Sequence, residues 1–261
     1  MRLGTEFIEK PWGRTGVPGA ADPGMRIGEI WYKGSSDLPL LLKQIFTSER
    51  LSVQVHPNDE QARALGLASG KTECWYILDC DDDAVLGLGF VGGLDKDELR
   101  AAALDGSIEQ RMHWRPVRAG DFFLVPAGTV HAIGAGIHLV EFQQNSDVTF
   151  RLYDYGRPRE LHVDDAVDVA DLGPYPNELA QHVPPIETRL LANDVHFSLL
   201  HAAFDPAAGE AFADRRRWVI PLEGRVRGGR EEAGAGDCLL LEAGEALDCG
   251  EARLLIGAAA A

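Results

Sequence analysis

Apolar residues recur along this chain in short runs of five to eight, set off by Gly, Pro, Asn and Asp. LLLKQIF, LSVQVHP, CWYILDC, AVLGLGFV, DFFLVPA, IHLVEFQQ and VTFRLYDY are rich in β-branched and aromatic residues and read as strands. Three stretches read instead as helices. Asn58–Leu65 opens with a capping asparagine, and Asp95–Leu104 has acidic residues in its first turn. Leu161–Val169 is the third. Many strands and few helices predict a mainly β fold, a sandwich or jelly roll.

Within that pattern a stretch recurs. Gly120 opens GDFFLVPAGTVH and Gly236 opens GDCLLLEAGEAL, so Gly120, Asp121, Ala127 and Gly128 match Gly236, Asp237, Ala243 and Gly244. A Trp followed by an apolar strand precedes each, at Trp75 and Trp218. The C-terminal part therefore reads as a second, smaller copy of one β unit. In that alignment Leu247 stands where His131 stands, and Arg216 where Glu73 stands. DLGPYPNELAQHVPPIETR between the copies is a connector by composition. It divides the chain into 1–180 and 181–261, and only the first copy retains residues that can bind metal.

The 261 residues carry 25 Lys and Arg against 41 Asp and Glu, a net charge of −16. That balance argues against nucleic-acid or anionic-membrane partners, and an anionic substrate would need a local group of cations. MRLGTEFIEKPWG has no apolar segment of the signal-peptide kind, and no run is long enough to span a bilayer. Four cysteines with no CxxC spacing read as reduced thiols, which suits the cytoplasm.

Candidate chemistry concentrates in the first copy. Gln54 and His56 are two apart in a β-prone run and would leave one face of a strand. With Glu73 and His131 they offer nitrogen and oxygen donors and no thiolate, a set suited to zinc, manganese or iron. Gln54 can ligate directly or hydrogen-bond a metal-bound water. Lys71 precedes Glu73 by two residues and would share its face. Arg151 is a charge in an apolar strand, so it needs either a function or a salt bridge to Asp154 or Asp147. Arg157, at a strand end, suits phosphate or solvent. Trp12, Glu29 and Trp31 suit either a pocket mouth or packing.

Gly120–His131 also fits the second cupin motif, G-x5-P-x-G-x2-H, although Ala135 departs from its tail. Gln54 stands where the first cupin motif commonly has His. QVHP, GKTECWY, PAGTVHAIGAG and SDVTFRLYDYGR, preceded by KPWG and IGEIW, together resemble the short bacterial class of type I mannose-6-phosphate isomerases over roughly residues 6–160. The resemblance implies a cupin jelly-roll barrel with a few short helices. It implies conversion of mannose 6-phosphate to fructose 6-phosphate with one divalent metal, most simply zinc, held by Gln54, His56, Glu73 and His131. It makes Arg151 the catalytic arginine. Lys71 becomes a candidate proton carrier, on the expectation that desolvation lowers its pKa, with Glu29 or a metal-bound hydroxide as alternatives. Arg157, Glu29 and Trp12 would contact a phosphorylated sugar. A non-catalytic sugar-binding or regulatory cupin is the rival reading, and an iron-dependent cupin oxygenase a third.

Overall fold

The structure, a computed structural model, describes residues 1–35 and 37–260. It resolves into two compact units. One comprises Phe7–Trp31 and Leu41–Ala180; the other comprises Gln181–Ala261 together with Met1–Glu6 and Tyr32–Leu40.

All seven expected runs contain a strand, from Leu40–Phe46 to Phe150–Tyr153. Gly4–Arg14 and Ile27–Lys33 are further strands. The first of these is exposed or half-buried over most of its length and mixed in polarity, so it carries no alternation to read. The three expected helices form over Asp59–Ala64, Lys96–Asp105 and Val163–Val169, and a four-residue helix follows at Ile108–Arg111. Asn58 and Gln61 close a reciprocal capping box, and so do Asp95 and Glu98.

The larger unit is a two-sheet jelly roll. One sheet places Leu40–Phe46, Ile137–Gln144, Glu73–Cys80 and Asp121–Val125 side by side in that order. The other runs Phe150–Tyr153, Val53–Val55, His131–Ile133, Val85–Phe90, Met112–Pro116. Both sheets are open-ended. Trp75, Ile77 and Leu139 from the first sheet pack against Leu86, Leu88 and Ile133 from the second, which makes the core between them. The far face of the second sheet is covered by helix residues Leu99, Ala103, Ala166 and Val167.

The smaller unit repeats this order with Phe197–Ala203, Arg253–Ala259, Arg217–Glu223 and Leu239–Leu241. Gly120 and Gly236 share φ 89°, and Gly128 and Gly244 are also left-handed. Asp121 accepts from Arg118 N at 3.0 Å, and Asp237 accepts from Gly234 N at 3.0 Å, so the turns correspond bond for bond. The strand register corrects one detail of the repeat. Glu73 pairs with Val125, and the residue pairing with the corresponding Leu241 is Arg217, not Arg216. A one-residue slip moves a side chain to the opposite face. Arg216 accordingly pairs outward with Glu242 at 3.0 Å, while Arg217 is fully buried.

Candidate active site

Three backbone contacts bring the ligand-bearing segments together. Gly128 N donates to His56 O at 2.8 Å, which ties PAGTVH to the segment after Val53–Val55. Lys71 N donates to Pro57 O at 3.0 Å, which ties in the segment before Glu73. Gly70 permits that approach, because a Cβ there would lie 2.6 Å from Pro57 O. Finally, Gln54 and His131 face each other directly across paired strands.

The result is a buried cluster of His56, Glu73 and His131, whose donor atoms all lie within 4.8 Å of one another. Glu73 Oε2 is 3.5 Å from His56 Nε2, and Oε1 is 3.4 Å from His131 Nε2. Burial holds both imidazoles neutral: His131 falls to about 4 and His56 well below its ordinary value. His131 Nδ1 donates to the Thr129 carbonyl at 2.8 Å, which leaves the Nε2 lone pair aimed at the carboxylate. Lys71 Nζ lies 3.2 Å from His56 Nε2, and an ammonium can only donate there. It is also 2.8 Å from Glu73 Oε2, yet neither Glu73 oxygen accepts an aligned hydrogen bond among the described residues. Converging lone pairs on two neutral imidazoles, with a buried carboxylate short of donors, suit a divalent cation. Gln54 Nε2 is 3.1 Å from His131 Nε2, and a half-turn of the amide would aim its oxygen at the same place.

The trio itself does not line the adjoining cleft, a cavity of about 220 Å³. Gln54 and Lys71 do, along with Trp12, Glu29 and Arg151. Arg151 is half-buried, its Nε has no partner, and no described carboxylate pairs with it. Neither salt bridge considered for it, to Asp154 or to Asp147, is formed. Arg157 lies outside the residues that line the cleft and binds Asp154 at 3.2 Å and Glu49 at 3.0 Å. The expectation for the Lys71 pKa is corrected. Burial lowers it, but Glu73 and Glu141 outweigh burial and the net shift is upward. Glu29 has both oxygens engaged, by Lys10 at 3.3 Å and by Trp31 Nε1 at 2.5 Å. Burial raises its pKa, Lys43 and Lys10 lower it, and the balance is below the usual carboxylate range.

Sequence reasoning missed four charged lining residues: Lys10, Lys43, Glu141 and Arg159. Lys43 and Glu141 form a buried pair at 3.2 Å, and Trp75 Nε1 donates to Glu141 at 3.1 Å. Each is a charge inside an apolar run, LLLKQIF or IHLVEFQQ, the same signal that singled out Arg151.

Two imidazoles and a carboxylate gathered at strand ends of a jelly roll make a candidate site for one metal ion, as in a metal-dependent enzyme. No family model matches the chain. It is 37% identical over 239 residues to the mannose-6-phosphate isomerase ManA of Bacillus subtilis (strain 168), covering 74% of this chain and 76% of the relative. The chain belongs to the mannose-6-phosphate isomerase family. The crystal structure of mannose 6-phosphate isomerase from Bacillus subtilis superposes with a TM-score of 0.76 at 27% identity over 98% of both chains. A zinc-bound mannose 6-phosphate isomerase shares the fold over the whole of this chain, with a TM-score of 0.73 and 14% identity.

Proposed function

We propose that this protein is a divalent-metal-dependent aldose–ketose isomerase that interconverts mannose 6-phosphate and fructose 6-phosphate. The observation that carries the reading is the buried trio of His56, Glu73 and His131 beside a cleft holding an unpaired arginine, in a chain of this family. Zinc suits the donor set, with His56, Glu73 and His131 as ligands and Gln54 as a fourth. A bound divalent ion would polarise the sugar oxygens as a Lewis acid.

The isomerisation removes a proton from C2, passes through an enediolate and returns a proton to C1. The enediolate's negative charge needs a cation fixed in advance, and Arg151 is ion-paired to no carboxylate among the described residues. Lys71, kept an ammonium by Glu73 and Glu141, suits proton donation to a sugar oxygen. Glu29 is a poor base, because Lys10 and Trp31 hold it as a carboxylate. Its suited role is to orient those two side chains at the cleft, and Trp12, 2% exposed, forms part of the cleft wall.

Among the described residues no helix is long and apolar enough to cross a membrane. All four cysteines are unpaired, which favours a cytoplasmic setting. The decisive test couples fructose 6-phosphate formation to a reporter, using zinc-loaded protein and mannose 6-phosphate. Turnover should vanish on chelation and return with zinc. A fully zinc-loaded sample that forms no fructose 6-phosphate would refute the reading.

A further inference from the structure

A chain of net charge −16 must concentrate cations wherever it binds an anion. Of the cations lining the cleft, Lys10 is matched by Glu29, Lys43 by Glu141 and Lys71 by Glu73. Arg151 is matched by none of the described residues. Arg159 is matched in a way that leaves it free to act. Its Nε donates to Asp154 Oδ2 at 2.6 Å and its Nη2 to Oδ1 at 2.7 Å, a two-pronged grip that uses two of its five N–H groups. The remaining three belong to a side chain that lines the cleft and is 27% exposed.

The grip is itself braced. Asp154 is buried, and Arg157 holds it from another side while binding Glu49 and the Arg50 carbonyl. The chain reverses at Tyr155 and Gly156, both left-handed, and Arg157 N closes the turn on Asp154 O at 3.0 Å. A tyrosine at φ 54° is a strained choice that the surrounding contacts must hold in place. Thus one guanidinium is spent on bracing and the other is presented. Burial and then the nearness of Arg159 press the Arg151 pKa down, with Asp154 and Glu160 opposing, so the two arginines sense one another. Ser52 and Thr149 add hydroxyls to the same cleft, and Asp147 adds one carboxylate.

We propose that Arg159 is the specificity-determining residue for the substrate's phosphate, binding it with its outward N–H groups beside Arg151 while Asp154 and Arg157 fix its position. This rests on the isomerase reading. A dianionic oxygen cluster suits the planar fork of Arg159, which can give it parallel hydrogen bonds and leaves Arg151 to the reacting carbons.

The test compares mannose 6-phosphate with unphosphorylated mannose on the zinc-loaded full chain. Arg159→Gln should raise KM for mannose 6-phosphate at least about tenfold with kcat within about threefold, one charge-assisted contact being worth that much. The inhibition constant of inorganic phosphate should rise in parallel, and kcat/KM for free mannose should hold. Arg159→Lys should recover part of the phosphate affinity. An independent measurement uses the unmutated protein: inorganic phosphate should slow phenylglyoxal labelling of Arg159, but not of Arg157, read by peptide mass spectrometry. Unchanged KM and phosphate inhibition in Arg159→Gln, or labelling of Arg159 that phosphate leaves untouched, overturns the proposal. A parent protein without isomerase turnover, whose Arg159 phosphate still protects, would instead fault the isomerase reading.

Discussion

Both units bury a charged side chain at the same point of the same strand pair: Glu73 opposite Val125, and Arg217 opposite Leu241. Around Glu73 gather two neutral imidazoles and the Lys71 ammonium. The hydrogen bonds of Arg217 go instead to main-chain carbonyls. It donates to Gly209 O at 2.7 Å, to Ala211 O at 3.3 Å and to Glu245 O. Leu247 opens its strand as His131 does, and offers nothing a cation could use. An ionised group in an apolar interior must be compensated. The first unit gathers donor atoms of a kind that bind metal, whereas the second carries its own permanent cation and engages both its terminal nitrogens with main-chain carbonyls. One scaffold thus has two electrostatic solutions, set by what stands at the Glu73 and His131 positions.

The largest break in this contrast comes from the ligands. His56→Ala and His131→Ala should each abolish turnover and weaken metal binding by more than about 100-fold, the upper end of what losing even an outer partner of a ligand costs. Metal analysis and the coupled assay on one sample decide it, and full metal with full activity in either variant would remove the site. Chelation extends the test to both units. Hydrogen exchange should quicken in Glu73–Cys80 and stay unchanged in Arg217–Glu223.

Next in size is Arg151→Lys. The charge survives and the planar fork does not, so kcat should fall by about 10²–10³ with metal content intact. A parental kcat would make Arg151 a bystander.

For the second unit, Arg217→Met keeps the length and removes the donors. One buried and two part-buried carbonyls then lose a partner, which costs about 2 kcal/mol or more and lowers Tm by roughly 4–8 °C. Calorimetry should show the loss equally with and without zinc. A variant as stable as its parent would mean that the guanidinium is dispensable.

The smallest effect concerns His138, stacked on Phe46 and bonded to Gln44 at 2.8 Å. Burial holds its pKa at about 4, against 6.5 for a free imidazole. Between those values the unfolded chain binds a proton that the folded one refuses, so stability falls as pH drops from 6.5 towards 4 and is level above 6.5. His138→Gln stays neutral and should flatten part of that slope in Tm measured against pH. An identical slope in the variant would assign the acid sensitivity elsewhere.

Much of this was legible in the residues. Strand runs such as IHLVEFQQ announce themselves through composition, and Asn58 and Asp95 mark their helices through capping chemistry. His56, Glu73 and His131 stand in short motifs, so local text carried them. What stayed hidden depends on register or on distant pairing. Arg217 lies one residue from where the Trp alignment pointed, and no local feature distinguishes it from Arg216; strand pairing does. Arg157 and Arg159 read alike in YGRPRE, yet the turn at Tyr155 makes one the brace and gives the other to the cleft. Lys71 illustrates a different limit. Its burial was foreseeable, but the pull of Glu141, seventy residues away, was not.

The hydrogen bond from His131 Nδ1 to the Thr129 carbonyl has a genetic consequence. Because the acceptor is a main-chain atom, no replacement of the Thr129 side chain deletes it. The group that selects the imidazole's tautomer is therefore shielded from missense change at Thr129 itself, and alanine scanning there would pass over it. An insertion or deletion between Gly128 and His131 would move that carbonyl, and so would a side chain at left-handed Gly128, so the length of this loop and its one glycine are what inheritance must preserve.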